Sequence, residues 1–306
     1  MSKSKSLELE VGGRAVEVSS PDKILFPEEK ITKAELADYY ARIADTMLPH
    51  LAGRPISMQR FPDGIEGEAF FQKDVPDYFP AWIRTAKVKK EDGSLDMVIA
   101  EEAATLVYLA NQACITAHVC LSRIDRPKRP DRLIFDFDPS GDDFGPVRDA
   151  ARRMRDLLEE TGLIPFVMTT GSRGLHVTVP LDRSADFDEA RGFARRCAEL
   201  LVSRRPDDLT IEHRKAKRGG RVYIDTMRNA YAQTGVAPYS VRARPGAPVA
   251  TPLGWDEVGR ARPDSYTIRN LFRRLGRKDD PWARIDREAG AVGHALERLE
   301  EMEETG

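Results

Sequence analysis

A chain of 306 residues is long enough for one large domain or two closely joined ones. Its 48 Lys and Arg against 50 Asp and Glu give a formal charge of −2, which excludes a uniformly basic nucleic-acid binder and confines any anion-binding surface to a local patch. No apolar run approaches the ~20 residues of a membrane helix, and the stretch "MSKSKSLELEVGG" lacks the apolar segment of a signal peptide, so a cytoplasmic protein without a membrane partner is expected.

Residues 1–20 read as a polar extension that turns strand-like, its first few residues loose. Thr32 with Glu35 three positions on is a capping box, and Leu36, Tyr40, Ile43 and Met47 follow at helical spacing, which predicts a helix over 32–48. Residues 53–100 read as short strands and loops. "EEAATLVYLANQACI" at 101–115 reads as a buried helix, with His118 just past its end. Cys114, Cys120 and Cys197 lack zinc-type spacing and read as reduced thiols.

From residue 132 strands and helices alternate. "RLIFDFD" is a strand, followed by a helix over 146–161 that opens on Pro146 and stops at Gly162. "PFVMTT" and "LHVTVPL" are strands joined by the tight "GSRG"; Asp186 and Glu189 cap a helix running to about 203. "RVYID" at 221–225 and "APYSVRAR" at 237–244 are predicted as further strands, and 283–304 as a charged outer helix. The order β-α-β-β-α-β predicts an RRM-like or ferredoxin-like sheet with helices on one face. The divisions expected are an extension at 1–20, an N-terminal part at 21–130, a core at 131–282 and a C-terminal helix at 283–306.

Asp136 and Asp138 in "IFDFDPSG" leave their strand on one face, about 6–7 Å apart. Such a pair repels unless water screens it or a cation sits between. Pro139 and Gly141 end the strand at once, so both acids stand at its carboxyl end, where open sheets place their sites. Asp225 closes another apolar strand. If the strands are neighbours, three carboxylates meet at one rim, a hard-oxygen set suited to Mg²⁺ or Mn²⁺. In "TTGSRGLHV" the glycines Gly171 and Gly174 allow a tight turn, while Ser172, Arg173 and His176 offer donors to phosphate oxygens. Arg214, Lys215, Lys217, Arg218 and Arg221 gather positive charge just ahead of Asp225, with Arg228 and Arg242 beyond it. Each feature has a plainer reading: a half-solvated strand face, an ordinary Gly-rich hairpin with a structural histidine, and a solvated run of charge.

Taken together, "DFD", "SRGLH" and "YID" resemble the ordered marks of the polymerase domain of bacterial ATP-dependent DNA ligase D, within the archaeo-eukaryotic primase superfamily. The likeness runs from about residue 20 to residue 275 and includes "PDKILFPEEKITKAELADYY", "GRPISMQRFPDGIEGEAFFQK" and "RNAYAQTGVAPYSVRARPGAPVATPL". It implies an α+β primase-polymerase fold: an RRM-like antiparallel catalytic sheet packed by helices, plus an N-terminal α/β part. The activity implied is template-directed nucleotidyl transfer with a preference for ribonucleotides, at DNA gaps and double-strand break ends in non-homologous end joining or gap repair, using two Mn²⁺ or Mg²⁺ ions.

By the same resemblance Asp136, Asp138 and Asp225 are the catalytic, metal-binding acids. Ser172, Arg173, Gly174, His176, Arg228 and Arg242 hold the incoming triphosphate, and His118 lies near its sugar. Lys23 and Lys33 take the 5′-phosphate across a gap, Phe70 and Phe71 stack on bases, and Lys73 and Arg218 contact DNA. Val119 and Cys120 follow His118 where relatives often carry Pro-Trp. The partners implied are gapped or broken DNA with a 5′-phosphate, nucleoside triphosphates, a Ku-like end-binding protein and a separate ligase, in a nucleoid-associated setting. No ligase or nuclease pattern is visible, so a stand-alone polymerase is expected. Two other classes fit the residues: a non-catalytic DNA-end-binding module, and a metal-dependent phosphoesterase or nuclease.

Overall fold

The computed structural model describes residues 6–90 and 92–305, so the looseness expected of the first few residues lies outside the described residues. The chain folds into two compact units. One holds the chain up to Cys120 with Val236–Ala250 and Tyr266–Lys278; the other holds Leu121–Gly235, Thr251–Ser265 and the chain from Asp279 on.

In the first unit, β1 (Ser6–Val11) and β2 (Arg14–Ser19) form an antiparallel hairpin whose Val11, Val16 and Val18 join the core. The short β3 (Ile24–Phe26) and β4 (Ile31–Thr32) lead into α1 (Lys33–Leu51). The predicted capping box is present: the Glu35 N–H donates to Thr32 Oγ1 at 3.2 Å, and Glu35 Oε2 accepts from the Thr32 N–H at 2.8 Å. α1 buries Leu36, Tyr40, Ile43 and Met47 as its spacing requires. Next come β5 (Pro55–Arg60), β6 (Phe70–Gln72), β7 (Thr85–Lys90), β8 (Gly93–Ile99), α2 (Ala103–Asn111) and β9 (Cys114–Cys120). β5 is the hub of this sheet, with β9 on one side, β8 and then β7 on the other, and β6 paired to its far end.

Here the helix predicted over 101–115 is too long. It ends at Asn111, Ala113 takes a positive φ of 55°, and the β-branched "CITAHVC" continues as strand, so His118 is a strand residue rather than a neighbour of a helix end.

The second unit begins with β10 (Arg132–Asp138), α3 (Gly145–Glu160), β11 (Phe166–Thr169), β12 (Leu175–Pro180), α4 (Phe187–Arg204), β13 (Leu209–Thr210) and β14 (Val222–Asp225). The chain then runs through β15 (Thr234–Val236), returns as β16 (Thr251–Leu253), passes α5 (Leu271–Leu275) in the first unit and ends in α6 (Val292–Thr305). The strand order β13-β14-β10-β12-β11-β16 contains the four-strand core that a β-α-β-β-α-β chain makes, antiparallel throughout, with β13 added in parallel at one edge. α3 and α4 pack on each other and on β10. Along β10, Leu133, Phe135 and Phe137 are fully buried on one face, while Ile134, Asp136 and Asp138 take the other.

Two further expectations are corrected. Residues 237–244 are not a strand: Tyr239 at φ 65° interrupts the extended path, and only Val241 bridges to Val249. The last helix starts at Val292, not at 283, because the chain at Gly290 is drawn out beside Leu181. Gly290 donates to the Pro180 carbonyl at 3.1 Å and accepts from the Asp182 N–H at 3.0 Å, which leaves only a short 3₁₀ turn at Ile285–Glu288. Among the described residues no helix is long and apolar enough to cross a membrane.

Candidate active site

The antiparallel register of the second unit decides where the acids stand. Asp136 is the direct cross-strand partner of Asp225 on β14 and of His176 on β12, so it sits between them. Side chains opposite one another in such a pair share a face with Cβ atoms about 4.5–5.5 Å apart. Asp138, two residues on, shares that face and pairs with Tyr223. The three carboxylates predicted at one rim are therefore brought together.

His176 is nearly buried, with its Nε2 3.5 Å from Asp136 Oδ2. Asp225 Oδ1 accepts from the Met227 N–H at 2.8 Å, an Asx turn that starts the loop carrying Arg228. Partial burial, then the charge of Asp136, push the Asp138 carboxyl above its ordinary range, with the Arg218 guanidinium pulling the other way. Burial and the neighbouring Asp225 push the Tyr223 phenol up to about 12.

The β11–β12 hairpin is locked against this rim. Thr170 Oγ1 accepts from the N–H groups of Ser172, at 3.3 Å, and Gly174, at 3.1 Å, while the Thr170 N–H donates to the Gly174 carbonyl at 3.1 Å. Gly174 is required here: a Cβ at this position would lie 2.2 Å from the Phe137 carbonyl oxygen and 3.5 Å from Asp136 Oδ1. The backbone of the hairpin thus presses directly on the strand bearing the acids. Ser172 is half-buried at the tip, and Arg173 and Arg228 are exposed, free to meet an anion.

Arg218 differs from its charged neighbours. Arg214, Lys215 and Lys217 are solvated, whereas Arg218 is buried, donates to the carbonyls of Glu212 and His213 at 3.1 and 3.0 Å, and lies 3.8 Å over the Tyr223 ring.

The remaining predicted residues are in the first unit. Lys33 opens α1 and is nearly buried; its Nζ reaches Ser19 Oγ at 3.3 Å and Asn111 Oδ1 at 3.5 Å, and its backbone N–H donates to the Lys23 carbonyl at 2.8 Å. Burial, and then the Lys23 charge, lower the Lys33 ammonium below its usual value. Lys23 pairs with Asp63 at 2.9 Å. Phe70 and Phe71 are both exposed, at 45% and 57%, where a simple β hairpin face would bury one. Phe71 meets His118 edge-on at 5.4 Å, and Lys73 is exposed just past β6. Arg242 is half-buried, its N–H donating to the Pro248 carbonyl at 2.7 Å.

Sequence reasoning misses the residues that hold these groups in place. Asn229 is buried and grips the backbone of Ile134 from both sides: its Oδ1 accepts from the Ile134 N–H at 2.8 Å and its Nδ2 donates to the Ile134 carbonyl at 2.7 Å. A side-chain amide spanning 95 positions leaves no local signal. Thr170 does, since a threonine ahead of Gly-Ser is a turn former.

The donor set fits divalent cations: three carboxylates at a partly dry rim, where burial first and the Asp136 charge second raise the Asp138 carboxyl. Among the described residues no three His, Cys, Asp or Glu side chains converge tightly enough to enclose an ion unaided. Mg²⁺-type sites characteristically complete their shell with waters and substrate phosphates, so an open carboxylate rim is the expected form.

Comparison with known proteins shows the family. Residues 32–282 match the family described as LigD, primase-polymerase domain. The chain is 34% identical over 296 residues to the "Multifunctional non-homologous end joining DNA repair protein LigD" of Mycobacterium tuberculosis strain H37Rv, covering 94% of this chain and 39% of that protein. It is 36% identical over 279 residues to the Mycolicibacterium smegmatis LigD, covering 90% and 36%, and 32% identical over 270 residues to the "Bifunctional non-homologous end joining protein LigD" of Bacillus subtilis, covering 87% and 43%. It thus spans about two fifths of the length of these curated relatives. The solved "Polymerase Domain from Mycobacterium tuberculosis Ligase D in complex with DNA" superposes with a TM-score of 0.84 at 34% identity, covering 90% of this chain and 99% of that one. A rim of three acids on an antiparallel sheet, braced by a glycine-bearing hairpin, is here carried by a chain that belongs to the LigD primase-polymerase domain family.

Proposed function

We propose that this protein is a template-directed nucleotidyltransferase that extends a primer at DNA gaps and broken ends during non-homologous end joining, using ribonucleotides by preference. The observation that carries the reading is the cross-strand pairing of Asp136 with Asp225 and His176, with Asp138 on the same face and the Gly174 backbone pressed against them. A module that only held DNA ends would gain nothing from acids turned toward phosphates.

Asp136, Asp138 and Asp225 would hold two Mn²⁺ or Mg²⁺ ions, which when bound supply the charge and Lewis acidity that in-line phosphoryl transfer needs. The Ser172 hydroxyl binds a triphosphate oxygen beside the close-packed Gly174 backbone, and Arg173 and Arg228 neutralise the charge. His176, fixed beside Asp136, donates to a phosphate or sugar oxygen. Catalysis is then mainly positioning and electrostatics, and no side chain need serve as general base. Arg242 and His118 are assigned to the triphosphate and the sugar, Lys23 and Lys33 to the 5′-phosphate, Phe70 and Phe71 to base stacking, and Lys73 and Arg218 to DNA contacts, all on the family pattern. A Ku-like protein and a ligase activity complete the setting.

The test is incubation with gapped DNA bearing a 5′-phosphate, with ribo- or deoxyribonucleotides and Mn²⁺. A longer primer supports the proposal; an unchanged primer points to an end-binding module and a shortened one to a phosphoesterase or nuclease. Asp138→Ala is expected to abolish extension while DNA binding stays largely intact, and undiminished extension by that variant refutes the assignment.

A further inference from the structure

Arg60, at the end of β5, is organised in an unusual way. Its Nε donates to the Gln112 carbonyl at 2.7 Å, Nη2 to Gln112 Oε1 at 3.1 Å, and Nη1 to both Gln72 Oε1 at 2.6 Å and the Tyr78 hydroxyl at 2.9 Å. The same guanidinium lies 5.5 Å over the Phe70 ring. Each of these acceptors is neutral, so the hydrogen bonds fix the cation in place without cancelling its charge. Around it the surface is aromatic. Tyr78 is 60% exposed, more than Phe70 or Phe71, and its ring leans on Phe79 at a centroid distance of 5.4 Å. Phe79 in turn packs edge-on against Tyr108 at 5.0 Å, so Tyr78, in the turn after β6, rests on a stack of aromatic rings. Exposed Lys73 lies between the phenylalanines and Tyr78 in the chain.

A large ring held this firmly, yet left open to water, gives up burial that it could otherwise gain. The combination of fixed, uncancelled positive charge and adjoining open ring faces fits single-stranded DNA, whose bases offer a π-face and whose backbone offers a negative charge at every step. We infer that Tyr78 is a third base-stacking residue for the unpaired template strand, and that Arg60 is the positioning residue that holds Tyr78, Phe70 and Gln72 as one ledge. The inference deepens the reading of the protein as a gap-filling polymerase and rests on it for the identity of the strand.

The experiment measures binding, not catalysis. Gapped DNA carrying 2-aminopurine at successive unpaired template positions is titrated with the protein in the absence of nucleotide and divalent metal. Tyr78→Ser is expected to weaken gapped-DNA binding about tenfold, the loss of one stacked base, and to change the fluorescence at a template position other than those altered by Phe70→Ala and Phe71→Ala. Affinity for unbroken duplex should not change. Tyr78→Phe, which keeps the ring and loses the hydroxyl, is expected to loosen the ledge and fall between. Arg60→Lys, which keeps charge but cannot span Gln72, Gln112 and Tyr78, should reproduce the Tyr78→Phe fluorescence pattern. Wild-type binding and fluorescence in Tyr78→Ser would overturn the inference, as would an equal loss on gapped and duplex DNA, which would place Tyr78 on the backbone. A protein that shows the Tyr78 effect but never extends a primer leaves the ledge standing and sinks the polymerase reading instead.

Discussion

In Asp138→Asn the side chain keeps its size and loses its charge. Asp138 shares a strand face with Asp136, and its diagonal neighbour on β14 is Asp225. Two like charges about 6.5 Å apart repel by about 2.5 kcal/mol at an effective dielectric of 20 and by about 0.6 kcal/mol in water. Because Asp138 is only partly buried, and Arg218 offsets part of the repulsion, the net relief falls toward the lower end, about 1 kcal/mol. For a chain of this size that corresponds to a melting temperature about 2 °C higher in metal-free buffer. The same substitution removes a ligand for the divalent ions, so Mn²⁺ should raise the melting temperature of the wild type and much less that of the variant, and primer extension should be lost.

The pH sense follows from the raised Asp138 carboxyl. The folded protein holds this proton more tightly than the unfolded chain, so the ionised group costs stability at neutral pH. That cost fades as the pH falls toward and below its folded value. The advantage of Asp138→Asn is therefore largest near neutrality and shrinks on acidification. Differential scanning calorimetry across this range, with and without Mn²⁺, is the assay. A metal-free variant that melts below the wild type at neutral pH would mean that the acids at this rim do not repel, and the case for a cation site would fall with it.

Gly174→Ala is expected to cost at least about 3 kcal/mol, measured by urea unfolding, because its Cβ would enter the Phe137 carbonyl, a backbone atom that cannot swing aside. Replacing the 5′-phosphate of gapped DNA with a hydroxyl should weaken wild-type binding about tenfold, as loss of a charge-assisted contact does, and should have little effect on Lys33→Ala. A full phosphate effect in that variant would move the pocket elsewhere. Burial raises the Asp286 carboxyl, but Arg132 and Arg123 more than offset this and hold it at about 2. Its stabilising share is therefore complete above the ordinary carboxylate value near about 4 and disappears as the pH falls through about 2. Asp286→Asn should lower stability at neutral pH by about 1 kcal/mol, discounted for a half-exposed carboxylate, with the deficit narrowing over that acid window.

What could be read from the sequence was whatever local chemistry determines. The capping boxes at Thr32 and Asp186, the "DFD" strand and the Gly-rich hairpin all fall where spacing and side-chain type put them. What failed was either ambiguous in period or set from a distance. "ANQACITAHVC" is an apolar run that suits a helix or a strand, and the turn at Ala113 decided between them. "APYSVRAR" alternates like a strand, yet Tyr239 spends its extended geometry on a left-handed turn, its N–H donating to the Ala250 carbonyl at 2.7 Å. The grip of Asn229 on Ile134 and of Gly290 on Pro180 depends on pairings that no local window contains.

Register matters most at the acids themselves. From sequence the three carboxylates are equivalent, two on one strand and one at the end of another. The pairing makes Asp136 the central member, with Asp225 across one ladder and His176 across the other, while Asp138 faces a tyrosine that lies over a buried arginine. A one-residue slip of β14 would turn Asp225 to the opposite face and leave the rim with a pair. Asn229 opposes such a slip: from the loop just after β14 it holds both polar groups of Ile134, two residues before Asp136 on the same face. The amide that sequence reading overlooked is thus what ties the third acid to the other two.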